Sequence, residues 1–139
     1  MPIDNLARSD VVTASIDEPV HELAAMMHDE DVGSIVITDD EPVGIVTDRD
    51  LTMQVLGEQA DPDELMAEDV MSDGLQTIEH DAGFYEATEL MSEHGIRRLP
   101  VTDADGALQG IITADDLNEL LAEEHQALAN VIQAQRPPY

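Results

Sequence analysis

The sequence predicts an α+β fold made of two copies of one β-α-β-β-α unit, the second ending in a longer helix. Three observations predict it. The stretch Gly44-Ile45-Val46-Thr47-Asp48-Arg49-Asp50 recurs as Gly110-Ile111-Ile112-Thr113-Ala114-Asp115-Asp116. The helix-spaced positions Val20, Leu23, Ala24 and Met27 recur 64 residues later as Phe84, Ala87, Thr88 and Met91. At the same spacing, Ser34-Ile35-Val36-Ile37-Thr38 is replaced by Arg98-Leu99-Pro100-Val101-Thr102. Features that repeat in one order at a near-constant offset mark an internal duplication.

In chain order, residues 1–10 read as a polar lead-in and Val11-Val12-Thr13 as a short β-prone piece. Asp17-Glu18-Pro19 opens a helix with proline in its first turn, and its apolar positions keep the i, i+3, i+4, i+7 rule. Gly33 ends that pattern. Residues 34–38 are a strand, Asp39-Asp40-Glu41-Pro42 a tight turn, residues 43–46 a second strand, and residues 48–56 a helix closed by Gly57. Residues 58–69, rich in acidic residues and Ala, read as a connector with one helical turn at Asp63-Glu64-Leu65-Met66.

The second copy then opens with the β-prone Leu75-Gln76-Thr77-Ile78, and Ala82-Gly83-Phe84 begins its helix. Its turn, Asp103-Ala104-Asp105-Gly106, is two residues longer than the first copy's, and an insertion is best tolerated in a turn. From Leu117 through Leu120, Leu121, Leu128, Val131 and Ile132 a helical pattern runs to about Gln133. The polar, proline-stopped tail Arg136-Pro137-Pro138-Tyr139 follows. The resulting division is a lead-in at 1–10, a first repeat at 11–57, a connector at 58–69, a second repeat at 70–125, and a helix extension with tail at 126–139.

Charge narrows the function. Acidic residues number 32 against 5 arginines and no lysine, for a net charge of −27. Nucleic acid and anionic membrane both need a basic face, so neither is an expected partner. Such a surface suits concentrated salt, where screening makes self-repulsion cheap, and points to a halophilic cytoplasm. The 42% hydrophobic content is too high for a disordered acidic chain. The absence of cysteine excludes disulfides, thiolate metal sites and cysteine nucleophiles. The first residues lack the basic and apolar regions of a signal peptide, and no apolar run is long enough to span a bilayer. A soluble, cytoplasmic protein is the expectation.

Each copy of the repeated stretch reads as a strand running into a helix, with Thr47 and Thr113 as N-cap residues. The N–H groups and dipole at such a junction suit an anion, and a carboxylate one turn on can accept from a sugar hydroxyl. Three of the five arginines, Arg49, Arg97 and Arg98, lie in the two motif regions. They serve either a phosphorylated ligand or ion pairs with nearby carboxylates. Asp48, Asp50, Asp115 and Asp116 also suit a helix N-terminus without any chemistry. No nucleophile–base pair accompanies them, so no enzyme and no catalytic residue is expected. His21 and His28 lie two turns apart but lack a third ligand, so no metal site is expected. The methionines read as core filler. Pro100, inside a strand, predicts an edge position or a backbone lining a cleft.

The run Arg97-Arg98-Leu99-Pro100-Val101-Thr102-Asp103, followed by the Gly110 to Asp116 motif in a duplicated unit, resembles the CBS domain family. The tandem arrangement over residues 10–125 is similar to the CBS pair, or Bateman module. That resemblance implies two pseudo-symmetric repeats packed through their sheets, with clefts between them for adenine nucleosides or nucleotides. Asp50 and Asp116 would hold ribose, and Thr47 and Thr113 would meet ribose or phosphate. Arg97 and Arg98 would meet phosphate; in the first copy Gly33-Ser34 stand in their place and Arg49 compensates. Thr13, Thr77 and Pro100 complete the expected ligand-binding set. The implied function is a regulatory module that senses AMP, ADP, ATP or S-adenosylmethionine, needs no cofactor and signals by conformational change. It would act as a homodimer, with an unidentified protein partner as a further expectation. The alternative is a dimeric structural adaptor with weak or lost nucleotide binding.

Overall fold

The computed structural model describes residues 2–72 and 74–137, apart from the side chain of Asp4. Pro138 and Tyr139, the end of the expected tail, lie outside the described residues. The first repeat comprises β1 (Thr13–Ser15), α1 (Val20–Glu30), β2 (Ser34–Asp39), β3 (Glu41–Thr47) and α2 (Asp48–Leu51). After the short α3 (Ala67–Val70), the second comprises β4 (Ile78–Glu79), α4 (Phe84–His94), β5 (Arg98–Thr102), β6 (Leu108–Thr113) and α5 (Ala114–Ala134). Each repeat forms a three-stranded sheet, in the orders β1-β2-β3 and β4-β5-β6. The first pair of each sheet is parallel and the second is an antiparallel hairpin.

The cores follow the two periodicities. Val20, Leu23 and Met27 of α1 pack on Ile35, Ile37 and Val46, while Ala87 and Met91 of α4 pack on Leu99, Val101 and Ile112. Ala24 keeps the spacing yet is exposed. Side chains on a strand alternate between faces. Val36 and Pro100 therefore point away from their own repeat's helices, and both are fully buried. Their cover comes from the other repeat, so the two repeats pack through their sheets.

Pro100 departs from expectation, because β5 is the central strand of its sheet. The equivalent residue explains how the sheet accommodates it. Val36 donates its N–H to the carbonyl of Val12 at 3.0 Å, a bond that proline cannot make at position 100. Pairing with β4 accordingly begins only at Ile78↔Val101, and residues 75–76 are left free of the ladder.

The leading segments are exchanged between repeats, which the reading of 1–10 as a polar lead-in and 58–69 as a connector does not contain. Ile3, in a 3-10 turn at Ile3–Asn5, is fully buried in the second repeat's core, with Leu6 and Ala7 packed beside it. Ile3 donates to the Ala82 carbonyl at 2.9 Å, and Arg8 and Ile111 exchange two backbone hydrogen bonds of 2.9 Å. The segment 64 residues later does the same for the first repeat. Ala67, fully buried, donates to Glu18 at 2.9 Å, and Ser72 donates to Ile45 at 3.2 Å. The helical turn expected at 63–66 thus falls instead at Ala67–Val70.

Gly57 does not close α2 in the left-handed conformation. The chain passes from α2 into a π-turn, Thr52–Leu56, and Gly57 keeps φ −65°. A Cβ at Gly57 would lie 2.8 Å from the Met53 carbonyl oxygen, so the close approach of the π-turn backbone, rather than a positive φ, favours glycine there. Among the described residues, no helix is long and apolar enough to cross a membrane.

Candidate functional site

Both repeated motifs form strand–helix junctions closed by a capping box, in which side chain and backbone cap each other. Thr47 accepts from the Asp50 N–H at 3.2 Å and Asp50 accepts from the Thr47 N–H at 2.9 Å. Thr113 and Asp116 make the same pair at 3.1 and 3.0 Å. The motif aspartates are thus engaged by their own helices. Asp116 is engaged twice: its Oδ1 also accepts from Arg8, at 3.1 Å from Nη2 and 3.4 Å from Nε. Its side chain is 9% exposed and lines a hollow with Asn5, Leu6 and Glu119.

Capping of an N-terminus by a well-made side chain is worth about 0.5–2 kcal/mol. Asp116→Ala also loses the pair with Arg8, whose side chain is 65% exposed and stays hydrated, so it should cost about 1.5 kcal/mol, against about 1 kcal/mol for Asp50→Ala. Urea unfolding of the two variants checks this ordering, and the reverse order would refute the added role of Arg8.

Two clefts lie between the repeats and form a pseudo-symmetric pair. The first cleft, of about 270 Å³, has apolar walls from Val11, Val12, Val32 and Ile111. Its polar groups are Ser34, Thr113, Arg8 and Arg98, with Asp10, Asp31 and Asp115 at the rim. The second, also of about 270 Å³, replaces Val11, Val12, Val32 and Ile111 with Leu75, Gln76, Ile96 and Ile45. Ser72, Gly74 and Arg98 stand there for Arg8, Asp10 and Ser34, and His94 is added. Each cleft thus takes a segment preceding the first strand of one repeat and the inner end of the glycine-to-aspartate motif of the other. The volumes approach the range of small-molecule sites, and apolar walls with a few polar groups are their usual lining.

The expected site residues divide. Thr113 and Arg98 line the first cleft, and Asp115 does so where Asp116 was expected. Arg97 sits outside, its Nη2 paired with Asp115 Oδ1 at 3.3 Å, which is the ion-pair alternative for that residue. Thr47, Asp50 and Arg49 lie at the α2 junction, outside the linings of both clefts. Thr13 is an exposed residue of β1, Thr77 lines a separate hollow with Ile78 and Glu86, and Pro100 is buried between the sheets. Arg8, Ser34 and the apolar walls were missed. The offset of 64 would have found the wall residues, since both segments precede equivalent strands.

The histidines are dispersed. His21 contacts Glu22 at 3.3 Å and Asp63 at 3.2 Å, and His28 contacts Asp29 at 3.3 Å. Among the described residues, no three His, Asp or Glu side chains are grouped so as to hold a metal ion.

Comparison with known proteins agrees with this architecture. A model of the CBS domain matches residues 3–57 and 67–123. An uncharacterized protein of Methanopyrus kandleri is 44% identical over 117 residues, covering 83% of this chain and 60% of that protein. The chain therefore spans less than two thirds of that relative's length. The crystal structure of a CBS-domain protein of Agrobacterium tumefaciens, ATU1752, superimposes with a TM-score of 0.75 at 28% identity, covering 86% of this chain and 98% of that one. The CBS domain pair of protein MJ0100, solved with 5′-methylthioadenosine and S-adenosyl-L-methionine, gives a TM-score of 0.79 at 21% identity, covering 89% of this chain and 98% of that one.

Proposed function

The chain belongs to the CBS domain family, and from that premise we propose that it is a regulatory module that takes an adenine nucleoside or nucleotide between its repeats. The observation that carries this reading is the pair of equivalent clefts, with apolar walls fit to sandwich a flat base and Arg98 fit to meet a phosphate. In the first cleft Thr113 and Asp115 offer partners for ribose hydroxyls. MJ0100 supports the reading only to the extent that the same fold holds adenosine derivatives in that protein. Binding draws the two repeats together, and signalling follows from that change of geometry without turnover. The reading includes a homodimer, because α5 leaves Leu121, Leu128, Val131 and Ile132 more than half exposed, and it places the protein in the cytoplasm.

Calorimetric titration at high salt with AMP, ADP, ATP and S-adenosylmethionine tests the proposal. At least one ligand should give a saturable heat, and Val32→Asp, which charges the apolar wall, should weaken it at least about tenfold. The absence of heat with all four ligands removes the reading and leaves a structural adaptor that associates through α5.

A further inference from the structure

The two clefts are not electrically independent. Arg98 lines both of them. It can do so because the first repeat places Gly33 and Ser34 where the second has Arg97 and Arg98. A Cβ at position 33 would lie 3.4 Å from Arg98 Nη2 and 3.3 Å from Asp48 Oδ2, so the bare glycine leaves the guanidinium room to lie across the boundary. The other arginines near the clefts are committed. Arg8 is paired with Asp116, and Arg97 with Asp115. Arg49 lines neither cleft. Among the described residues, Arg98 is therefore the one cleft-lining arginine without an ion pair, in a chain of net charge −27.

A guanidinium presents its donors as one planar fork, and bidentate capture of a phosphate uses that fork on one side. We propose that the two clefts share this single cation, so that a chain holds one phosphate-bearing ligand at a time. The companion cleft then takes an uncharged nucleoside-class ligand. Filling either cleft with an anion weakens anion binding in the other by the same factor, since coupling between two sites is reciprocal. This deepens the nucleotide-sensing reading and rests on it. It makes the pair a comparator of charged against uncharged adenine ligands rather than two separate receptors.

Calorimetry with AMP and with adenosine separates the two claims. Adenosine should fill both clefts of each chain. AMP should fill one, with the second at least about tenfold weaker, within the usual span of coupling between sites. Ser34→Arg supplies a second cation at the equivalent position and should bring the second AMP to within about threefold of the first. Arg98→Gln should abolish the preference for AMP over adenosine, and thermal melting identifies any variant that has failed to fold. AMP filling both clefts equally in the unaltered protein, or a preference for AMP that survives Arg98→Gln, overturns the shared cation alone. Failure of both adenosine and AMP to bind overturns the nucleoside reading and this inference with it.

Discussion

Replacing Gly110 with alanine should lower the unfolding free energy by about 3 kcal/mol, whereas Gly44→Ala should cost about 1 kcal/mol. The two glycines are equivalent members of the repeated motif, but they face different atoms. A Cβ at Gly110 would lie 2.7 Å from the Arg8 carbonyl oxygen. That oxygen accepts from the Ile111 N–H at 2.9 Å, and the Arg8 N–H donates back to Ile111 at 2.9 Å. Relief requires the leading backbone to move and both bonds to lengthen. At Gly44 the Cβ would meet the Met71 side chain, with Sδ at 2.5 Å, Cγ at 3.0 Å and Cβ at 3.1 Å, so only the last contact needs the backbone to give, by a few tenths of an ångström. A thioether on an unbranched chain can swing aside at small cost. Urea unfolding of the two variants side by side checks the contrast, and equal losses would show that the docked leading segment yields as easily as a side chain.

Ile3→Ala should cost about 3 kcal/mol, within the usual 2–5 kcal/mol for truncating a buried isoleucine to alanine. Ile3 is fully buried against the second repeat, among Ile78, Ala82 and Leu99. Its loss should open a cavity there and leave the first core unaltered. Hydrogen exchange should therefore show protection falling first at β5 and β6, with β2 and β3 following only at global unfolding. A loss below about 1 kcal/mol, or protection lost first from β2 and β3, would mean that the segment does not hold the second repeat together.

The duplication and both hairpins were legible because each repeats a local pattern at a near-constant offset. The exchange of leading segments was not. Ile3 and Ala67 sit in short mixed stretches with a few other apolar residues, and no local period says which repeat takes them. The placement of Asp115 and Asp116 relative to the first cleft was hidden for a related reason. The motif makes Asp116 the ligand carboxylate by resemblance, but three residues after an N-cap threonine a carboxylate closes the capping box first. Its neighbour is left to line the cleft. Arg97 and Arg98 read as a pair in sequence, yet only Arg98 lines the clefts while Arg97 stays with Asp115 at the surface. The reach of Arg98 toward the first repeat depends on Gly33, 65 positions earlier, and pairwise geometry of that kind leaves no trace in composition or periodicity.

The crossed leading segments also order events in time. During synthesis residues 2–8 are made well before the segments that receive them, Ala82 ahead of α4 and Ile111 in β6. The first repeat must likewise wait for residues 66–72, which run from the connector into the start of the second repeat. Neither half can therefore close its core as soon as its own strands exist, and the contacts that close both span a large part of the chain. Such distant closure slows folding and lengthens the interval in which apolar surface is open. A nascent chain stalled before β6 would hold one repeat nearly finished and the other missing both its last strand and the docking of its first residues. Degradation of stalled chains should then begin in the second repeat.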